Sequence, residues 1–597
     1  MKKDKYTISF TVLAFALFVI IAGFSECGCG MVRHVDSRQP LQNPNKQADV
    51  IATKSSLGLV GDDSVAYDLK EVGPKYIKRK ITLKERSELS QSDFGKTNTA
   101  YIIKHAFDLK GGTIVMPADC ELVFDGGSLN NGIIVGNNTS IVYFGTIFNG
   151  IKIKGNWNVP EIRSNMFGDA TSQVNSLKNV VALTNSNIEN TVYIEKGDYF
   201  LEVSYVTEHL LPLKSKTIVN LEGTIKVKGN SFPRYRIFSI FDANDVAIKG
   251  NGKIVGDRDL HTYTPEAPEP ESKRGYNTSH EYGHGIQIYN SINVEISGIS
   301  ITKCIGDGIC IVGTDVVCRN LDVSYCRRQG ISVVGGERIS ISDCRISHIW
   351  GSRKAGFGID IEPSSELAAS DITITNCDIS TCNGGINLQC HAFECVKNVK
   401  ISDCCLSSFA QDKIKEEGHE QYRALMCFGP RDCEVKGCTI EDSSTCLVYV
   451  EDAVNIALRN NKLTGRGSRY GIVLRKNRGT VTIDNNHICM SERNSQKLSG
   501  SAVANLHNAI VTENEIHSED LSVTGDTPCK NVVLRGNTIN AQWESSAEVN
   551  RCTIENNTFT RKVMLNNVIE STVEGNTMQS LRVRRSNNSR VNSNTTR

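Results

Sequence analysis

Glycine followed by alternating aliphatic residues recurs through the middle of the chain: Gly285-Ile286-Gln287-Ile288, Gly308-Ile309-Cys310-Ile311, Gly330-Ile331-Ser332-Val333, Gly358-Ile359-Asp360-Ile361 and Gly385-Ile386-Asn387-Leu388. The glycines lie 23, 22, 28 and 27 residues apart. A period this short cannot enclose a domain with its own core. It suits one coil of two or three short strands, which buries its apolar face only by stacking on the next coil. A second alternating segment falls between these strands, as in Val294-Glu295-Ile296, Ile339-Ser340-Ile341, Ile372-Thr373-Ile374 and Val399-Lys400-Ile401. Side chains alternate faces along a strand, so the residues one and three after each glycine are expected to fill a core. Those two and four after it are expected to face solvent.

The turns carry their own column: Cys344, Cys377, Cys404 and Cys438, then Asn461, Asn486, Asn514, Asn537, Asn557 and Asn576. Stacked asparagines can hydrogen-bond to one another and to the turn backbone, and asparagine tolerates the left-handed conformation of a tight corner. Cysteine replaces it there as a small buried residue. The 21 cysteines are therefore expected to form a packing ladder rather than a disulfide framework. Cys390, Cys395 and the pair Cys404-Cys405 lack the ligand cluster of a zinc site, so no metal is expected from them.

Charge excludes little except by its balance. With 67 Lys plus Arg against 66 Asp plus Glu, no global basic field points to nucleic acid. Lys2, Lys3 and Lys5 precede an apolar run over 8–23, the pattern of a secretory signal and too short to span a bilayer. The expected organisation is a signal over 1–30, a Pro- and Asn-containing tether over 31–65, an N-terminal β module over 66–165 and the solenoid over 166–597. Export to a bacterial periplasm or cell surface follows. Cys27 and Cys29 stand where a lipoprotein is acylated, although Ser25-Glu26 is a poor match to the usual preceding residues. Any membrane contact is expected through the signal or that anchor alone.

Insertions at 257–283, 348–357 and 411–422 interrupt the period, and long loops on a solenoid commonly build its binding side. The coil Ile248-Lys249-Gly250-Asn251-Gly252-Lys253-Ile254, the segment Gly306-Asp307-Gly308-Ile309 and the segment Arg327-Arg328-Gln329-Gly330-Ile331-Ser332 resemble the pectate-lyase-like superfamily of right-handed parallel β-helices. That superfamily includes pectate lyases, polygalacturonases, alginate epimerases and phage tailspike depolymerases. The resemblance spans roughly residues 192–576 and implies a right-handed parallel β-helix acting on a polysaccharide. Gly283-His284-Gly285 matches one polygalacturonase motif but precedes the Asp307 coil instead of following it. A single Asp307 stands where that family has a pair, and Arg-Ile-Lys is absent.

Most outward positions on the glycine-led strands are uncharged, whereas Asp360 and Glu362 point the same way about 7 Å apart by strand rise. That separation is in the range of an inverting glycosidase pair. A solvated acidic spot or a cation site would use the same residues. One position before each glycine, His284, Asp307 and Gln329 are expected to stack at about 4.8 Å per coil, beside Arg327 and Arg328. Asp307, Asp360, Glu362 and His284 are the catalytic candidates, since carboxylates protonate leaving oxygens or activate water and histidine moves protons near neutrality. Arg327, Arg328, Gln329, Asp257, Arg258, His261, His280, Glu281 and Tyr282 are the substrate-binding candidates. Arginine can grip a uronate or sulfate, and Tyr263, Tyr276 and Tyr282 offer flat faces to sugars. Hydrolysis without a cofactor is the leading expectation. A lyase or C5-epimerase, with Arg328 or His284 as base and Ca²⁺ as an optional cofactor, is the alternative; a noncatalytic glycan-binding solenoid is a third.

Overall fold

The computed structural model describes residues 77, 79–168, 174–263, 280–351, 356–364, 366–390, 395–407, 423–441, 446–492, 495–522, 528–545 and 548–596. The expected signal and tether, Tyr276 and the 411–422 insertion lie outside the described residues.

Coiling begins in the N-terminal module. Thr99–Ile103 pairs in parallel with Arg79–Thr82 on one side and Glu121–Phe124 on the other, and Glu121 is in register with Ser140. Two further parallel ladders place Phe107 opposite Leu129 and Ile114 opposite Ile134. The module is thus itself a stack of coils around Tyr101, Phe107, Leu122, Phe148 and Trp157. Its seven strands form one sheet, and from Glu161–Arg163 onward the strands join a second sheet of 46. One short α-helix, Ser176–Ala182, the only one among the described residues, packs Leu177, Val180 and Val181 into the same core.

The second sheet wraps into three parallel ladders. The first contains the glycine-led strands, with Ile286, Ile309, Ile331, Ile359, Ile386 and Leu425 in consecutive register. All six are fully buried, and each contributes about 2–3 kcal/mol relative to exposure. The second ladder stacks Ile296, Cys318, Ile341, Ile374 and Ile401. The third stacks three-residue strands such as Ser300–Thr302, Asp322–Ser324 and Arg345–Ser347.

Three expectations change. The outward residues Ser332, Asp360 and Asn387 do point away from the core, but they are only 2%, 2% and 1% exposed. The turn segments before neighbouring strands fold over them and hydrogen-bond to them. At the corners, the left-handed conformation falls on the residue before the ladder position, at Asp343, Asn376, Asp403, Asn460, Asn485, Glu513 and Asn556. The ladder asparagines themselves are not left-handed, and their amides reach the next coil. Finally, Cys390 and Cys395 form a disulfide, whereas the other described cysteines are free. The corner thiols behave as hydrophobes. Hydrogen bonding to the neighbouring thiol, with burial, holds Cys377 and Cys404 up at about 12, far from the thiolate that reactivity requires.

Candidate active site

The outward column of the first ladder runs Gln287, Cys310, Ser332, Asp360, Asn387 by register. Asp307 sits in the turn leading into Ile309–Arg319 and reaches over this column. Its carboxylate accepts Arg328 Nη1 at 3.1 and 2.8 Å, Gln329 N–H at 3.1 Å and Ser332 Oγ at 2.7 Å. Asp307 has no exposed surface. Three donor groups making four contacts hold this buried carboxylate, so the geometry makes Asp307 an anchor that fixes Arg328. Burial alone would weaken the Arg328 charge. Asp307, with Tyr282 and Glu281, outweighs burial and holds the guanidinium above its ordinary value.

Asp360 is differently placed. Gln329 Nε2 donates to Asp360 Oδ2 at 2.5 Å and Asn387 Nδ2 donates to Oδ1 at 2.8 Å. Gln329 is itself fixed, since its Oε1 accepts Gly356 N–H at 3.0 Å and Phe357 N–H at 2.7 Å. Burial first, and the charge of Glu362 second, raise the Asp360 carboxyl well above the usual carboxylate range. The Asn387 amide, donating into the carboxyl, works against this shift, and burial with Glu362 outweighs it, which leaves an O–H able to donate. Glu362, two residues on and half-buried, carries the neighbouring negative charge.

His284 is buried, and its Nδ1 accepts the Asp307 backbone N–H at 3.1 Å. That bond assigns the proton of the neutral ring to Nε2. Burial pushes the imidazole down to about 4, so His284 is neutral at pH 7 and presents a donor rather than a free base. The unfolded chain binds a proton at this ring below about pH 6.5, whereas the folded protein does so only near pH 4. Its contribution to stability is therefore present above pH 6.5 and lost as pH falls from 6.5 toward 4, by about 3 kcal/mol. Thermal unfolding of wild type and His284→Gln between pH 7.5 and 4.5 should show a shallower acid loss in the variant. Parallel curves would mean that this ring titrates as it does in water.

A second cluster closes the base of the 257–283 insertion. Tyr235 Oη donates to Asp257, Asn230 Nδ2 donates to it at 2.7 Å, and His261 Nδ1 lies 2.7 Å from the same carboxylate. His261 Nε2 in turn lies 2.8 Å from His280 Nδ1. This Asp-His-His chain is buried, and Asp257 and His261 spend their polar atoms on it. In this structure these two substrate-binding candidates link the segment after Val255 to His280 and to the Tyr235 strand. Arg258 donates to the Tyr325 carbonyl at 2.8 Å and lies over the Trp350 ring, so it too braces the loop. Arg327 donates to the His280 carbonyl at 3.0 Å, approaches Glu281 at 3.5 Å and lies over Tyr263. Tyr282 stays nearer the site, between the guanidinium groups of Arg234 and Arg328 at 4.7 and 5.9 Å from its ring centroid.

The structure therefore brings together His284, Asp307, Arg328, Gln329, Asp360 and Glu362, and joins Asp257, His261, His280 and Arg327 in a neighbouring hydrogen-bonded chain, with Glu281 beside both Arg327 and Arg328. Sequence reasoning missed Arg236, which is in register with His284 and donates Nε–H to Gln287 Oε1 at 2.5 Å. Its strand, Arg234–Phe241, lacks the leading glycine, and the long insertion hides the coil period between it and His284. Ser332 and Asn387 were legible only as uncharged outward residues. His284, Asp307 and Cys310 bring potential metal-ligand atoms within 4.8 Å of one another. In that group Asp307 already accepts Arg328, Gln329 and Ser332, and His284 Nδ1 accepts the Asp307 N–H.

This is a solenoid with a polar lateral site built from turns and outward strand positions. Residues 274–416 and 423–595 match the family model described as the right-handed β-helix region, and the chain belongs to that family. Curated relatives are two Bacillus subtilis (strain 168) proteins. The uncharacterized protein YclG is 26% identical over 33% of this chain and 36% of its own length. The SPbeta prophage-derived uncharacterized protein YorA is 25% identical over 47% of each. The chain thus spans less than half the length of these relatives. Similar solved structures include a tailspike protein mutant of E. coli bacteriophage HK620 in complex with pentasaccharide, at 12% identity and TM-score 0.48, over 71% of this chain and 78% of that one. The Azotobacter vinelandii mannuronan C-5 epimerase AlgE6 A-module follows at 13% identity and TM-score 0.38, over 73% of this chain and 99% of that one.

Proposed function

We propose that this chain is an exported glycoside hydrolase that cleaves a polysaccharide, with Asp360 as general acid and Glu362 as the carboxylate that activates water. One observation carries the reading: a buried carboxyl, raised by burial and by Glu362 and held by two amides, lies on the outward column of the strand ladder. Acid catalysis needs a carboxyl that keeps its proton at working pH beside one that does not. The strand spacing of about 7 Å leaves room for a water between the groups, which favours inversion. Arg328, anchored by Asp307, is suited to gripping an acidic substituent, so an anionic polysaccharide is the preferred substrate class.

An elimination or epimerisation reading rests on the same Arg328 as the group that neutralises a uronate, with Ca²⁺ as cofactor. Neither of its two base candidates is free to act as one among the described residues. Arg328 is held cationic by Asp307, and His284 offers Nε2–H. Incubation of the purified protein with plant, algal and host polysaccharides distinguishes the readings, following reducing ends and unsaturated-uronate absorbance together. New reducing ends without absorbance are expected. Absorbance would replace the hydrolase with a lyase, and silence across the panel would favour a noncatalytic glycan-binding solenoid.

A further inference from the structure

Far along the chain from this site, the third ladder changes character. Its outward positions hold Ser300 and Thr302, Asp322 and Ser324, Arg345 and Ser347, and later Lys462 and Thr464. Two adjacent strands then break the pattern. His487–Ser491 places His487 and Cys489 outward, and Glu515–Asp520 places Glu515 and His517 outward, with His487 opposite Glu515 and Cys489 opposite His517. These are four potential ligands at the corners of a rectangle about 4.8 Å by 6.6 Å on one sheet face. His487 Nδ1 lies 3.0 Å from Glu515 Oε2, and His517 Nε2 lies 2.9 Å from Glu515 Oε1. The ligand atoms of His487, Glu515 and His517 all lie within 4.8 Å of one another.

We propose that His487, Glu515 and His517 form a binding site for a divalent transition metal of the zinc class, with the Cys489 thiol, opposite His517 in register, as the candidate fourth ligand. Ring nitrogens from two coils converge on one carboxylate, so a cation replacing the ring N–H protons would meet all three donors at once. Two imidazoles, a carboxylate and a neighbouring thiol match the preferences of Zn²⁺ and exclude the all-oxygen sets of Ca²⁺ and Mg²⁺. The side chains are 41%, 56% and 30% exposed for His487, Glu515 and His517, which leaves an open path for the ion. Because its donors come from consecutive coils, the metal would clamp them together, and its loss would loosen the C-terminal part of the stack. Ordinary histidine–carboxylate hydrogen bonding is the competing account of the same geometry.

The test uses the purified chain after chelator treatment and dialysis, titrated with Zn²⁺ against a chromophoric chelator and separately with Co²⁺ followed by visible absorption. Wild type is expected to bind one equivalent more than the double variant His487→Ala/His517→Ala. Its Co²⁺ complex should show the intense visible bands of a four-coordinate ion. Zn²⁺ at about a hundredfold excess over Kd should raise the Tm of wild type by about 2 °C and leave the double variant unmoved. Cys489→Ser is expected to weaken binding by about tenfold or more. Equal stoichiometry in wild type and double variant, or no Zn²⁺-dependent Tm shift in wild type, would overturn the site. Metal-free unfolding curves of all variants show whether each is folded, and the wild-type Tm measurement stands without any variant.

Discussion

Asp360→Asn is expected to leave the solenoid folded and to lower polysaccharide cleavage by about 100- to 10,000-fold, the usual range for removing a general acid. The substitution keeps the size of a side chain that is 2% exposed and sits between Gln329 and Asn387. What it removes is the ionisable proton. Because burial and Glu362 raise Asp360, wild-type activity should fall on the alkaline side as this carboxyl loses its proton, and no comparable limb should remain in the variant. Glu362→Gln should reduce the rate as well, while shifting the Asp360 limb to lower pH because a neighbouring negative charge has gone. The measurement is kcat against pH for wild type and both variants, with circular dichroism to establish that each is folded. Unchanged kcat in Asp360→Asn would move the chemistry to another carboxylate.

The contrast between Asp360 and Asp307 shows which part of the site was readable in advance. Both residues could be placed on one edge of one ladder from the glycine period alone, because a period-two strand fixes which way a side chain leaves the backbone. Their roles could not. Asp307 became an anchor because the next turn brings Arg328, the Gln329 N–H and Ser332 onto it. Asp360 became a protonated acid candidate because the turn carrying Gln329 folds over it and buries it beside Glu362. Such contacts depend on how turns of unequal length fold over the sheet, and the repeat does not encode that. The Asp257-His261-His280 chain was hidden for a related reason, since its members lie on both sides of an insertion whose ends meet only in three dimensions. The corner column needed no such information: identical residues one coil apart meet their own copies in the next coil. Even there, the left-handed residue lay one position earlier than composition suggested.

That column also supports the largest stability effect expected here, at Asn514→Ala. Asn514 Oδ1 accepts the Asn486 backbone N–H at 2.8 Å and its side-chain amide at 3.0 Å. Asn514 Nδ2 donates to the Ile483 carbonyl at 2.8 Å and to Asn537 Oδ1 at 2.9 Å. Alanine removes all four bonds and strands a backbone N–H and a backbone C=O where Asn514 is 1% exposed. At about 1–3 kcal/mol for each buried group left without a partner, the cost is about 3–5 kcal/mol. Asn594→Ala, at the partly exposed last rung, should cost about 1 kcal/mol or less, because water replaces the lost partners. Asn514→Cys should fall between them. A corner thiol can donate to one carbonyl, as Cys404 does to Ser402 at 3.2 Å, but it cannot also satisfy the amide of the coil before it. Denaturation midpoints of the three variants test this order. Equal losses at Asn514 and Asn594 would mean that apolar stacking alone, not the hydrogen-bonded corner, holds consecutive coils in register.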